Sequence, residues 1–184
     1  MVYKRKRFLQ LRLGALLLGT MLLTLGHTLI AQSSADDKVL YEDNRFTIEF
    51  PAHWELRENQ PGVVVAAISP EVERRSRFDR RVTVGYQALA SEEAFIPYFE
   101  QNLEALKTHL HRVSVHHTRA VGYGPNSGKE ILLTHHTTRI PVTLRVVMLP
   151  GPDLVYVLIC AEHRDHYDQS SDLFDRILAS FIML

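Results

Sequence analysis

The hydrophobic pattern predicts an α+β domain: an antiparallel sheet of about six to seven strands packed between helices, in the order βββ-α-ββββ-α. Three observations carry this. Seven segments alternate, or run apolar, over strand lengths. Two others switch to apolar spacings of three and four. Turn sequences join consecutive strands in the second half, and short connections make neighbours antiparallel.

The first strand is "RFTIEF", where Phe46, Ile48 and Phe50 alternate with Thr47 and Glu49 until Pro51 ends it. "GVVVAAIS" is a second, apolar strand, and "RVTVGYQAL" a third in which Val82, Val84 and Tyr86 alternate with Thr83, Gly85 and Gln87. In "SEEAFIPYFEQNLEALKTHL" the period changes. Phe95, Phe99, Leu103, Leu106 and Leu110 fall on one helical stripe. Proline lacks an N–H and clashes with the preceding turn, so the regular helix is expected to begin near Pro97. Four strands follow, "RVSVHHTRAV", "EILLTHHTTRI", "VTLRVVML" and "DLVYVLICAE", separated by turns at "GYGPNSG", Pro141 and "PGPD". The chain closes on a second amphipathic stripe of Leu173, Phe174, Ile177, Leu178 and Phe181.

Charge and composition narrow the function. The 184 residues carry 21 basic and 21 acidic side chains, but Lys4, Arg5, Lys6, Arg7 and Arg12 fall in residues 1–31, which hold no acid. Beyond them 16 basic residues face 21 acidic ones, and a mildly acidic domain is poorly suited to neutralising phosphates. Nucleic acid is therefore excluded as a partner class. "MVYKRKRF", the apolar run Leu13 to Gly26 and the small residues Ala31 and Ser33 compose an export signal over 1–31. The alternative is a retained anchor over residues 13–31, close to the ~20 residues that span a bilayer. A polar linker, 32–39, leads to one domain, 40–184. Cys160 is the single cysteine, so the domain has no internal disulfide, and its apolar surroundings in "LVYVLICAE" suit a small buried hydrophobe.

"RFTIEFPAHW", "YFEQNLEALK" and "LFDRILASF", in this order and spacing, resemble the PsbP/DcrB-like superfamily over roughly residues 40–184. These are exported bacterial and thylakoid-lumen domains that share a fold with a Ran-binding nuclear-import factor. The resemblance implies an α/β/α sandwich and a binding, assembly or chaperone-like role, without catalytic residues or a cofactor. It implies a protein partner in the bacterial envelope or an equivalent lumen, with membrane association through the N-terminal segment. The alternatives are a chaperone-like shield for apolar client segments, which needs an exposed apolar groove, and a histidine-dependent metal-binding protein or hydrolase. Trp54 reads as core packing or, alternatively, as a binding aromatic.

Two features lie outside that resemblance. The first is the pair of His-His dipeptides. Adjacent strand residues point to opposite faces. If the strands pair so that their apolar faces agree, His117 and His135 turn to the core. His116 and His136 then share the other face with Ser114, Thr118, Thr134 and Thr138. Each face holds two imidazoles, short of the three or four ligands of a zinc site. Further ligands would come from His163, His166 or Asp165 in "EHRDHYD". The pairs read either as hydrogen-bonded imidazoles or, at His116 and His136, as a weak divalent-metal or pH-sensitive patch. The second feature is the charged loop "EVERRSRFDRR". It reads as self-compensated and solvated, or as a docking site for an acidic partner or anionic headgroups through Arg74, Arg75, Arg77 and Arg80.

Overall fold

A computed structural model describes residues 37–70, 78–138 and 140–184. The leader, most of the linker and Arg74, Arg75 and Arg77 lie outside the described residues. In chain order the elements are β1 (Lys38–Glu42), β2 (Phe46–Pro51), β3 (Glu55–Gln60), β4 (Val63–Ile68) and β5 (Arg81–Ala88), then α1 (Phe95–His109). They continue as β6 (Ser114–Tyr123), β7 (Asn126–Thr137), β8 (Ile140–Pro150), β9 (Leu154–His163), α2 (Tyr167–Ala179) and β10 (Ile182–Met183). Among the described residues they form a seven-stranded antiparallel sheet, β3-β4-β5-β9-β8-β7-β6, and a three-stranded one, β1-β2-β10.

The α+β sandwich is the predicted one, with two differences in strand assignment. "RFTIEF" pairs not with "GVVVAAIS" but with β1 and β10, so it belongs to the small sheet. The seventh strand of the large sheet is β3, whose sequence, Glu-Leu-Arg-Glu-Asn-Gln, lacks an apolar face because it is a largely exposed edge. β1 begins at Lys38, inside the stretch that reads as a linker.

Alternation divides the large sheet into two faces. One carries Val65, Ala67, Val82, Val84, Val147, Leu149, Tyr156, Leu158 and Cys160, and α2 and the small sheet pack on it. Phe46, Ile48, Phe50, Phe174 and Phe181 have no exposed surface there, and Trp54 is buried among them. Each such side chain stabilises the fold by about 1.5–3 kcal/mol. Trp54 is therefore a core residue. The other face carries Ile131, Leu133, Val146, Met148 and Val155, which pack against Phe95 and Phe99 of α1. Pro97 occupies the first turn of α1, where its missing N–H has no intrahelical role.

The β6–β7 hairpin turns at Gly124 and Pro125, with Gly124 at φ +57, so Asn126 to Gly128 already lie in β7. The β7–β8 hairpin turns before Pro141, through Thr138 at φ +56.

Candidate functional site

α1 covers only part of its face of the large sheet. Its N-terminal half buries Phe95 and Phe99, whereas Leu103, Leu106 and Leu110 stay half-buried. Toward β3 the sheet carries no helix among the described residues, and a groove of about 470 Å³ lies there. The register places its lining. Arg57, Ala66, Thr83 and Ile159 follow one another across β3, β4, β5 and β9, and Ile68, Arg81, Ala161 and Leu144 form the next row. Val142 and His135, directly paired on β8 and β7, bound it on the far side together with Leu110 and Thr137. The volume falls within the ~300–1,000 Å³ typical of ligand sites.

The groove is apolar with a cationic rim. Arg57 forms a fork with Glu55, at 2.8 and 3.0 Å. The Arg81 guanidinium lies 5.3 Å from the centre of the Phe78 ring, and among the described residues no Asp or Glu lines the groove. His135 is 6% exposed, and its Nδ1 has no hydrogen-bond partner among the described residues. Burial, opposed by a backbone interaction at His136 and reinforced by the charges of His136 and Arg81, holds its pKa below the usual histidine value. Among the described lining residues no carboxylate or cysteine stands beside the imidazole.

A second polar cluster is buried on the α2 side. Glu130 is 1% exposed and accepts at Oε2 from Tyr123 Oη (2.7 Å) and Arg145 Nε (2.6 Å). Its Oε1 lies 3.0 Å from His117 Nε2 and 2.9 Å from Arg119 Nε. Arg145 also donates to Tyr123 Oη at 2.6 Å and pairs with Asp175 of α2 at 2.7 Å. Burial raises the Glu130 pKa, but the hydrogen bonds from His117, Arg145 and Tyr123 outweigh it and bring it down to about 2. The same burial pushes the Tyr123 hydroxyl up. This cluster ties β6, β7, β8 and α2 together.

The predicted site residues do not converge on one point. The expectation that His116 and His117 face opposite sides is overturned by a β-bulge between Val115 and His117. Both rings reach the same face of β7: His116 Nε2 lies 2.7 Å from Thr134 Oγ1, while His117 meets Glu130. An extra residue in one strand breaks the alternation on which the expectation rested. His117 is thus on the α2 side, whereas His135 does face its core as expected. His136 is half-buried, its backbone N–H donating to His111 O at 2.9 Å. The His163 and His166 rings lie 5.4 Å apart, and His163 Nδ1 accepts from the Asp165 N–H at 3.3 Å. Among the described residues no three His, Cys, Asp or Glu side chains are grouped to hold a metal ion. Arg80 does not stand free in a solvated loop; it pairs with the buried Glu162, which also accepts from Ser170 Oγ at 2.9 Å. Cys160 is fully buried, which raises its pKa and leaves it inert, as its sequence context suggests.

No pattern in the sequence marks the groove directly, because its limits depend on where α1 stops. Glu130 and Arg145 do carry a signal: Glu130 heads the apolar run in "EILL", and Arg145 is the one charge inside "VTLRVVML".

No protein-family model and no curated protein sequence matches the chain. Solved structures do. LpqN of Mycobacterium tuberculosis, involved in cell envelope biogenesis, aligns with a TM-score of 0.62 at 13% identity, over 80% of this chain and 90% of its own. The cyanobacterial PsbP (CyanoP) of Synechocystis sp. PCC 6803 aligns at 0.59 and 12% identity, over 80% and 92%. A Pseudomonas aeruginosa protein of unknown function aligns at 0.57 and 13% identity, over 79% and 96%. The PsbP-like fold implied by the sequence is the fold of this chain.

Proposed function

We propose that this protein is an exported, non-enzymatic binding domain of the bacterial envelope or an equivalent lumen, and that it holds an apolar segment of a partner protein in the groove beside α1. The observation that carries this is the aliphatic half of the α1 face that no described residue covers, with Val63, Ile68, Leu144 and Ile159 each half-buried. Export rests on the composition of residues 1–31, and the likeness to an envelope protein and to CyanoP accords with it. No helix among the described residues is long and apolar enough to cross a membrane.

The test is a binding titration of the full-length protein with a fluorescent apolar peptide. Thr83→Phe, which fills the groove from a half-buried position, is expected to weaken binding at least ~tenfold, about 1.4 kcal/mol. Ile96→Asp, on the exposed side of α1, is expected to leave it unchanged. Equal binding by both variants contradicts the reading. The groove equally favours a chaperone-like role toward many clients, because its lining is aliphatic and carries few groups that fix an orientation. Suppression of aggregation of several unrelated clients by the wild type, lost in Thr83→Phe, distinguishes that reading from a single dedicated partner.

A further inference from the structure

We propose that the groove selects the free C-terminus of a polypeptide, with the terminal carboxylate seated between His135 and Arg81 and the preceding apolar residues lying along the aliphatic lining. The proposal rests on the groove being a binding site, and three observations give it its chemistry.

The first is charge. Among the described residues Arg57, Arg81 and His135 line the groove and no acidic residue does, so an apolar ligand carrying one negative group is complemented where a neutral or cationic one is not. Of the two arginines, Arg57 is already engaged by Glu55. Arg81 makes no ion pair with a carboxylate among the described residues, and its recorded contact is the Phe78 ring.

The second is His135. A nine-tenths buried imidazole whose Nδ1 has no partner is an unmet hydrogen-bonding group, a state that folded proteins rarely leave without a use. That nitrogen has almost no accessible surface, so a carboxylate in the groove meets it only once the ring turns about its Cβ–Cγ bond. The third is placement. His135 and Arg81 both line the groove, so both groups address the same enclosed region.

A chain terminus suits the site better than an internal Asp or Glu. Leu110, Thr137 and His135 bound the groove on the β7 side, and a terminus ends there without the backbone having to continue past that wall. The volume admits a short segment, not a folded surface.

The experiment is calorimetric titration of the full-length protein with an apolar hexapeptide of Ala, Val and Leu, once with a free C-terminal carboxylate and once amidated. The acid is expected to bind about tenfold or more tightly, as a charge-assisted hydrogen bond requires. Arg81→Gln, at an exposed position, is expected to reduce that preference below about threefold, and His135→Ala to do the same. Equal affinity for acid and amide overturns the C-terminus proposal while leaving the groove as a site. A preference for the acid that survives both substitutions overturns the seating at His135 and Arg81. Binding of laurate with neither peptide bound assigns the anionic ligand to a lipid and likewise overturns it. Absence of binding by either peptide or laurate removes the groove reading itself.

Discussion

Replacing Glu130 by Gln keeps the shape of the side chain and removes its charge. Arg145, 5% exposed, would then keep a buried guanidinium whose remaining anionic partner is Asp175, itself about half exposed and so partly screened. Breaking one member of a buried pair costs about 3–5 kcal/mol, because the other charge is left without compensation. Against a total stability of about 5–15 kcal/mol this is a large fraction. For a domain of this size it corresponds to a fall in Tm of roughly 6–20 °C. Arg145→Met should cost less, since His117 and Arg119 still serve Glu130 Oε1. The double variant, Glu130→Gln with Arg145→Met, should be more stable than the sum of the singles by about 2 kcal/mol or more. Urea unfolding of the four proteins reads these numbers directly. A Glu130→Gln cost under about 1 kcal/mol, or additivity within about 0.5 kcal/mol, would refute a tightly coupled buried pair.

Three further outcomes follow from the same geometry. Glu130 has a folded pKa of about 2, below its ordinary 4.5, so its contribution is complete above pH ~4.5 and is lost as the pH falls toward 2; it amounts to about 3 kcal/mol. Urea midpoints of the wild type should fall across that window, and Glu130→Gln should flatten the slope. Gly128→Ala should destabilise the domain by at least ~2 kcal/mol in the same assay, since a Cβ there would stand 2.1 Å from Met148 O and 2.9 Å from Leu149 Cδ2. Cys160 should react with a thiol reagent only at the rate of unfolding, and prompt labelling of the native protein would contradict its burial.

Much of the fold was legible because alternation and helical spacing report burial directly. Phe46, Ile48 and Phe50 alternate in the sequence and are all fully buried; Phe95 and Phe99 head the α1 stripe and anchor it. The two small strands, β1 and β10, and the edge β3 were hidden, since short or exposed strands have little apolar signature. The histidines show the limit more sharply. Their faces were argued from strict alternation, and one bulged residue, fixed by the pairing of β6 with β7, sends His117 to Glu130. Glu130 and Arg145 are not directly opposed, as Arg145 faces Leu132 and Glu130 faces Val147; their contact is diagonal and needs the register to be seen. His135 was placed correctly toward the core, but that its Nδ1 lacks a partner is a property of its surroundings and not of the pattern.

The most direct test of the binding account is to map where an apolar peptide perturbs backbone amide resonances of the isotopically labelled full-length protein. The account predicts that the largest changes gather at Val63, Ile68, Thr83, Val142, Leu144 and Ile159. Changes centred on α2 and the small sheet, or none at saturating peptide, would contradict it.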